Sequence, residues 1–275
     1  MLPSKPMVDL HHHLLPGLDD GSPDLKTSVE MARIAVQDGI THVVCTPHAS
    51  NRYAFDPFRV DRALSQLRAA LAQAGIHLIL GSGCDFHLSY ENVQDALANP
   101  HKYTINFGEY LLVELPDYGL GPTLEETFYS LRLAGMNPIL THPERNPSLQ
   151  EDSSRLAQWL RDGLLLQVTA NSVTGAMGRK AHALAHRLLA DRWVHFISTD
   201  AHNTRSRSPQ MRAAFDEIAK RYGEDYAQAL CTLNPQAAFD SRPLPHHEPP
   251  LHLFHDESED EEPKSSNWLG RLFGR

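Results

Sequence analysis

Short apolar segments alternate along the chain with longer stretches in which apolar residues recur at helical spacing. The short segments are rich in valine, isoleucine and leucine and end at polar residues, glycine or proline, as buried strands do. The first helical stretch follows Ser22-Pro23-Asp24, which predicts Ser22 as the N-cap and Pro23 at the first helical position. Seven strands are predicted, at residues 7–11, 40–46, 76–80, 110–114, 138–142, 164–168 and 194–198.

Strands that alternate with helices predict a parallel sheet, and near-continuous apolar strands indicate burial on both faces. An open doubly wound sheet and a closed barrel share this alternation. The polar residues decide between them, because histidine, aspartate or glutamate stands at the C-terminal ends of the strands, and these ends converge on one face in a barrel. We therefore predict an α/β fold, a TIM-like (β/α)7 barrel formed by residues 1–240.

The segment Asp9-Leu10-His11-His12-His13 ends the first predicted strand. Strand alternation places Asp9, His11 and His13 on one face and turns His12 toward the helical layer. A surface histidine tract is the alternative for this segment, and a hydrogen-bonded loop histidine is the alternative elsewhere. Taken together, the candidate ligands at successive strand ends are His11, His13, His48, Asp85, Glu114, His142, Asp200 and His202.

These imidazoles and carboxylates predict a metal centre, because a carboxylate that closes an apolar strand must be paired or bound to a cation to offset its desolvation. The ligands exceed the coordination number of one ion, so at least two cations are expected. Nitrogen and oxygen ligands without thiolate suit manganese, iron or zinc better than calcium or magnesium. Paired cations commonly hydrolyse phosphoesters through a bound hydroxide.

Two arginines stand in the same loops, Arg145 three residues after His142 and Arg207 five residues after His202. Guanidinium groups bind phosphate well, so we expect both to contact a phosphoryl group, with surface arginines as the alternative. A cysteine-nucleophile phosphatase needs an arginine in the loop that holds its thiolate. Arg52 is one residue too far from Cys45, and Cys84 is predicted to be a small buried side chain, so no catalytic cysteine is expected.

The 275-residue chain has a formal net charge of −9, whereas nucleic-acid-binding proteins are usually basic. It contains no apolar run long enough for a transmembrane helix, and its N-terminus lacks the apolar core of a signal peptide. Its three scattered cysteines indicate a reducing compartment rather than a disulfide framework. These features predict a cytoplasmic protein without a nucleic-acid partner.

Residues 241–275 differ in composition from the rest of the chain. Prolines are frequent, residues 256–262 are acidic at six of seven positions, and a disordered tail is predicted. Near its end, Trp268, Leu269, Leu272 and Phe273 can share a helical face. Chance apolar residues in an unstructured terminus, or a docking motif for a partner or a membrane surface, both explain this pattern.

Four ordered motifs resemble one family: DLHHHLLPGLDDG from Asp9, TPH from Thr46, HPERN from His142 and DAHN from Asp200. They are similar to the polymerase-and-histidinol-phosphatase (PHP) superfamily, in particular to its capsule-biosynthesis branch of metal-dependent tyrosine-protein phosphatases. The similarity runs from about Met7 to Phe239. It implies a distorted seven-stranded βα barrel that holds two or three divalent cations, with manganese preferred and iron or zinc as alternatives.

The resemblance also implies how the ligands are shared. A first site would use His11, His13, Glu114 and Asp200, with Glu114 as a bridge. The remaining sites would be completed by His48, Asp85, His142 and His202. The family has a glutamate where Asp85 stands, so the carboxylate of this chain is one methylene shorter.

The activity that the resemblance implies is hydrolysis of phosphotyrosine on a protein, in particular on the C-terminal tail of a bacterial tyrosine kinase that controls capsule or exopolysaccharide synthesis. The expected mechanism is attack of a metal-bound hydroxide on phosphorus, with Arg145 and Arg207 on the non-bridging oxygens and His202 or a metal-bound water as proton donor. The alternatives are a small-molecule phosphatase of the histidinol-phosphatase type, a proofreading nuclease and a phosphotyrosine-binding module without turnover. Homo-oligomerisation stays open.

Overall fold

The computed structural model describes residues 6–116, 119–245 and 250–253. Within them, short parallel strands alternate with helices along the chain. The strands are β1 (Met7–His12), β2 (Ile40–Cys45), β3 (His48–Ala49), β4 (Ile79–Ser82), β5 (Asp85–His87), β6 (Tyr110–Glu114), β7 (Asn137–Thr141), β8 (Leu165–Thr169) and β9 (Phe196–Ser198).

These nine strands occupy seven positions around a barrel, and each position is called a stave below. Two staves are interrupted: β2 continues into β3 across Pro47, and β4 continues into β5 across Gly83 and Cys84. Pro47 has no N–H to donate, which breaks the ladder at that point. Because β2 pairs with β4 while β3 pairs with β5, the two ladders β1-β2-β4 and β3-β5-β6-β7-β8-β9 follow each other around one ring.

The ring closes between β9 and β1. The backbone N–H of Asp200 donates to the carbonyl of His11 at 2.9 Å, and the N–H of His13 donates to the carbonyl of Ala201 at 3.0 Å. The predicted barrel is therefore confirmed. The bounds predicted for the third strand, residues 76–80, are wrong: the strand is Ile79–Ser82, and residues 76–78 form an irregular connection after the preceding helix, in which the N–H of Ile76 donates back to the carbonyl of Leu71 at 2.9 Å.

Helices cover the outside of the ring. They are α1 (Leu25–Asp38), α2 (Pro57–Gln73), α3 (Tyr90–Ala98), α4 (Leu124–Leu133), α5 (Pro147–Glu151), α6 (Ser154–Arg161), α7 (Ala170–Val173), α8 (Arg179–Ala190), α9 (Arg212–Tyr222), α10 (Glu224–Gln228) and α11 (Asn234–Phe239). Short 3₁₀ turns lie at Ile105–Phe107 and Pro143–Arg145, and a π-helical turn lies at Ala229–Leu233. The predicted N-cap Ser22 is wrong, because the Asp24 side chain accepts from the N–H of Thr27 and Pro23 lies outside the helix.

Apolar side chains form two buried clusters. The larger one packs strand residues such as Val43, Leu111 and Ile197 against the helices. The smaller one includes Val8, Leu10, Val44, Leu112, Ile139 and Phe196. These residues come from β1, β2, β6, β7 and β9 and alternate along their strands with residues of the larger cluster, so they fill the inside of the barrel. A filled interior leaves the C-terminal strand ends as the place where a site can be built.

The described part of the predicted tail contacts the barrel. The indole N–H of Trp193 donates to the carbonyl of Leu251 at 2.9 Å, and the Nε of Arg161 donates to the carbonyl of Leu253 at 2.7 Å. The acidic run at 256–262 and the apolar residues at 268–273 lie outside the described residues. Among the helices that are described, none has both the length and the apolar character needed to cross a bilayer.

Candidate metal centre

The C-terminal face of the barrel gathers nine histidine and carboxylate side chains into four overlapping clusters. In each cluster, one ligand atom per residue lies within 4.8 Å of all the others. The clusters are His13-Asp20-His48-His202, His11-His13-Asp200, His11-Asp85-His142 and His48-Asp85-Glu114. The structure therefore brings together all eight residues that the sequence singles out, and it adds Asp20. It groups Glu114 with His48 and Asp85 rather than with His11, His13 and Asp200.

His11 and His13 direct their Nε2 atoms at each other across 3.2 Å. The opposite nitrogen of each ring is held by a neighbour: Nδ1 of His11 lies 3.0 Å from Oε1 of Gln167, and Nδ1 of His13 lies 2.7 Å from Oδ2 of Asp19. A hydrogen bond at Nδ1 fixes the tautomer in which Nε2 carries a lone pair. Asp19 is itself fixed, since its other oxygen accepts from the N–H of Gly21 at 2.9 Å.

Two nitrogens that bind one cation at about 2.1 Å each lie roughly 3.0–3.4 Å apart for right-angled to tetrahedral coordination. The His11–His13 separation fits this range. Asp85 shares a neighbouring cluster with His11, and its carboxylate is buried. Among the described residues neither of its oxygens has a hydrogen-bond partner of good geometry, although ring nitrogens of His48 and His11 lie 3.1 and 3.4 Å from Oδ2. A buried carboxylate without hydrogen bonds is costly unless a cation compensates it. The donor set therefore fits divalent cations.

The acidic neighbours shift the pKa of His11. Burial alone would lower its pKa, but the carboxylates of Asp85 and Asp200, each 3.4 Å from Nε2, outweigh burial and raise the pKa of His11 to about 9. Burial raises the pKa of Asp85 and Asp200, yet the adjacent His11 outweighs it and holds both carboxyl pKa values well below their usual range. The carboxylates are thus ionised and attract positive charge to this point.

His48 connects two of the clusters through both edges of its ring. Its Nδ1 lies 3.1 Å from Oδ2 of Asp85 and 3.8 Å from Oε2 of Glu114, while its Nε2 lies 3.3 Å from Oδ1 of Asp20. Glu114 is also approached by Nε2 of His142 at 3.5 Å. Burial, followed by the charge of Asp85, raises the pKa of Glu114.

Two of these residues have left-handed backbone conformations although neither is glycine. His142 has a φ of 35° and directly follows β7, and Asp200 has a φ of 50° and lies two residues after the end of β9. Such conformations cost about 1–3 kcal/mol and concentrate at functional sites, where the surrounding structure holds them. The strained positions of His142 and Asp200 are therefore consistent with a binding role.

Arg145 and Arg207 converge on a single carboxylate oxygen. The Nη1 of Arg145 and the Nη2 of Arg207 both pair with Oδ2 of Asp200, whose other oxygen faces His11 and His13. The loop that carries Arg207 is closed on itself, because the N–H of His202 donates to the carbonyl of Arg207 at 2.9 Å. The two predicted phosphate-binding arginines thus lie directly beside the ligand clusters.

Asp20 is the residue that sequence reasoning missed. It has no apolar strand before it and lies in the loop between β1 and α1, but its Oδ1 reaches His48 and also lies 3.6 Å from Nε2 of His202. Its side chain is 46% exposed, so it closes the outer edge of the site. The DDG sequence inside the first family-like motif was the available signal.

Two neighbours in the first motif do not join the clusters. His12 is fully buried and neither ring nitrogen has a hydrogen-bond partner among the described residues; burial, then the positive charge of His13, lowers its pKa to about 3. Asp9, which alternation places beside His11, instead accepts from the N–H of Thr199 at 3.0 Å and from its hydroxyl at 2.5 Å. Asp9 therefore ties β1 to the end of β9.

The cysteines are unsuited to nucleophilic chemistry. Cys45, Cys84 and Cys231 are buried, and burial raises the pKa of each thiol above its usual range. A thiol with a raised pKa is protonated at neutral pH and is a poor nucleophile. The prediction that this is not a cysteine-based site agrees with these environments.

Comparison with known proteins places the geometry in a family context. Residues 7–240 match the family model described as capsular polysaccharide synthesis, CpsB/CapC. The tyrosine-protein phosphatase YwqE of Bacillus subtilis is 34% identical over 225 residues, which cover 82% of this chain and 88% of YwqE. The tyrosine-protein phosphatase CpsB of Streptococcus pneumoniae is 24% identical over 236 residues, covering 84% and 97%.

A solved structure agrees in the arrangement of the chain. It belongs to the crystal structures of YwqE from Bacillus subtilis and CpsB from Streptococcus pneumoniae, described as unique metal-dependent tyrosine phosphatases. The superposition has a TM-score of 0.83 at 32% sequence identity and covers 89% of this chain and 98% of the other. The fold and the sequence thus point to the same relatives.

Proposed function

The chain belongs to the CpsB/CapC family of capsular polysaccharide synthesis proteins, and from this premise we propose that it is a metal-dependent phosphatase that hydrolyses phosphotyrosine on a protein substrate. The observation that carries the proposal is the convergence of four ligand clusters and two arginines on one face of the barrel. Proteins in the family are named tyrosine-protein phosphatases, and the similar solved structures are described as metal-dependent.

We propose that two or three divalent cations are held by the nine clustered side chains, with manganese preferred and iron or zinc as alternatives. Four residues, His11, His13, His48 and Asp85, each belong to two clusters, which supports shared ligands between neighbouring cations. When bound, such cations acidify a water molecule and neutralise charge on phosphoryl oxygens. The ligands are nitrogen and oxygen atoms without thiolate, which favours manganese, iron or zinc.

Arg145 and Arg207 would hold the phosphoryl oxygens of the substrate. Their side chains are 28% and 27% exposed, whereas the Asp200 carboxylate that they share is 2% exposed. Both guanidinium groups therefore have accessible N–H donors while one end remains anchored on Asp200. Planar guanidinium groups anchored in this way orient a phosphate through paired hydrogen bonds and stabilise charge that develops during transfer.

His202 suits a ligand role better than a proton-donor role. Its Nδ1 lies 3.0 Å from the carbonyl oxygen of Asp200, and its Nε2 faces Asp20 in the cluster with His13 and His48. With both ring nitrogens engaged, no proton is available for the leaving group. A phenol has a pKa near 10 and leaves more readily than an alkyl alcohol, which reduces the need for a strong acid.

The natural substrate that we propose is the C-terminal tail of a bacterial tyrosine kinase in capsule or exopolysaccharide synthesis, dephosphorylated in the cytoplasm. Membership of a capsular polysaccharide synthesis family supports this setting. Purified kinase, phosphorylated on its tail, is the direct test: phosphate should be released from the intact kinase and not from a kinase that lacks the tail. Equal release from both would contradict the proposed substrate.

The test of the activity compares metal-free and manganese-reconstituted protein on a phosphotyrosyl peptide. Phosphate release should depend on the metal, and His13→Ala should lose bound metal and activity together. His77→Ala, which removes an exposed histidine outside the clusters, is the matched control and should behave as the wild type. Peptide binding without phosphate release would refute the enzyme proposal, and faster release from histidinol phosphate would favour a small-molecule phosphatase.

A further inference from the structure

The loop that follows β3 places an aromatic side chain beside the metal centre. The ring of Tyr53 lies nearly parallel to the imidazole of His48, with an interplanar angle of 13° and ring centroids 5.8 Å apart. Aromatic rings in contact are typically about 4.5–7 Å apart between centroids, so the two rings form an offset stack. None of the proposed roles at the metal centre uses Tyr53.

A tight turn fixes the position of Tyr53. The backbones of Ser50 and Tyr53 exchange two hydrogen bonds, of 2.9 Å and 3.2 Å. The hydroxyl of Ser50 also accepts from the N–H groups of Arg52 and Tyr53, at 3.3 Å and 3.2 Å. Four hydrogen bonds within four residues hold the Tyr53 backbone at a defined place relative to β3. The ring is therefore preorganised rather than carried on a loosely held loop.

The orientation of the His48 ring relates Tyr53 to the ligand clusters. Both of its ring nitrogens point at carboxylates of the clusters, Nδ1 at Asp85 and Nε2 at Asp20, so its polar edges are used and its flat face is turned to Tyr53. Tyr53 lies five residues further along the chain, past the C-terminal end of the stave, and is partly exposed. Tyr53 thus contacts a cluster residue directly while part of its side chain is open to solvent.

A planar group already lies against the Tyr53 ring. The guanidinium carbon of Arg52 is 5.1 Å from the ring centroid, within the range of a cation–π contact. Arg52 is exposed, so its side chain has room to move aside or to share the ring with a ligand. The ring face is thus accessible to a flat group from solvent.

We propose that Tyr53 forms the aryl-binding wall of this site: the phenyl ring of phosphotyrosine packs against the Tyr53 ring while its phosphoryl group occupies the metal centre. This inference rests on the proposed phosphatase function and names the residue that selects aryl over alkyl phosphomonoesters. A phosphoserine side chain has no flat apolar face, so contact with Tyr53 adds nothing to its binding affinity. Inorganic phosphate fills only the metal centre, so Tyr53 does not contribute to its binding affinity either.

A purely supporting role for Tyr53 makes a different prediction. If the ring only holds the imidazole of His48 in place, its removal weakens cation binding and reduces every substrate equally. If the ring binds the aryl group, its removal weakens phosphotyrosine selectively and leaves the bound metal as it was. The substrate dependence of the loss therefore distinguishes the two roles.

The experiment uses the manganese-loaded full chain with Tyr53→Leu and Tyr53→Phe, and Tyr129→Leu as a control for an exposed tyrosine on α4. Calorimetry measures the dissociation constants of inorganic phosphate and of non-hydrolysable phosphonate analogues that stand in for O-phospho-L-tyrosine and O-phospho-L-serine, and metal content is measured in parallel. Tyr53→Leu should weaken phosphotyrosine about tenfold, the effect of one lost aromatic pair. Phosphate and phosphoserine affinity should be retained, and Tyr53→Phe and Tyr129→Leu should match the wild type.

Two results would overturn the inference. One is an unchanged phosphotyrosine affinity in Tyr53→Leu; the other is an equal loss for all three ligands accompanied by lost metal. The proposed function fails separately, when the metal-loaded wild type releases no phosphate from phosphotyrosine. Because ligand affinity is measured without turnover, the aryl preference is still tested in that case.

Discussion

Gln167 offers a sharp test of how the metal centre is held. Its side chain is completely buried on β8, its Oε1 lies 3.0 Å from Nδ1 of His11, and its Nε2 has no hydrogen-bond partner among the described residues. The substitution Gln167→Leu keeps a side chain of similar volume but removes the acceptor that fixes the His11 tautomer. His11 belongs to two clusters, so the change should be felt in both.

The expected loss of metal affinity follows from the role of the Gln167 Oε1 atom as the acceptor that orients His11. Partners that orient a ligating histidine typically contribute about 10–100-fold in metal affinity, or about 1.4–2.7 kcal/mol. The unpartnered Nδ1–H that remains costs about 1–3 kcal/mol, partly offset because the unpartnered amide N–H₂ of Gln167 disappears with it. We therefore expect weaker metal binding by about 10–100-fold and only a modest change in the stability of the metal-free protein.

Competition with a chelator of known affinity measures the metal dissociation constants, and thermal unfolding in the presence of EDTA measures the stability of the metal-free chain. Gln167→Glu should keep the affinity, since a carboxylate also accepts from Nδ1 of His11. Gln158→Leu on α6 is the matched control, because the same substitution is made at an exposed residue that belongs to none of the clusters. Wild-type metal affinity in Gln167→Leu would show that His11 does not bind a cation through Nε2.

Three further outcomes are expected. Gly21→Ala should disrupt the site, because a Cβ at position 21 would overlap the carbonyl oxygen of His13; Gly121→Ala, whose Cβ would meet nothing within 4 Å, should retain full metal content by elemental analysis. Asp20→Asn should lower the number of tightly bound cations by one while the barrel still unfolds as the wild type does, and an unchanged metal count would remove Asp20 from the ligand set. Iodoacetamide should leave the activity of the folded enzyme intact, since all three cysteines are buried, and rapid inactivation would contradict the metal-based mechanism.

Local sequence patterns predict most of the strands. Six predicted strands coincide with observed ones to within two residues, because an apolar segment flanked by glycine or proline and by helical periodicity has few other solutions. The misplaced third strand shows the limit of this reasoning. Ile76 is apolar in either setting, and only its backbone bond to Leu71 and its packing against the core place it in the connection after α2 rather than in the strand.

Local sequence is enough to identify the chemical groups at the strand ends, since those residues lie at or just after the ends of their strands and the C-terminal ends of parallel strands must share one face. Which of these groups meet depends on long-range packing. Glu114 lies with His48 and Asp85, and Asp20 enters the site from a loop, because distances across a closed ring depend on strand register and on where each loop returns. Closure of β9 onto β1, fixed by Thr199 on Asp9, brings Asp200 to the His11–His13 pair, and no local pattern along the chain specifies that contact.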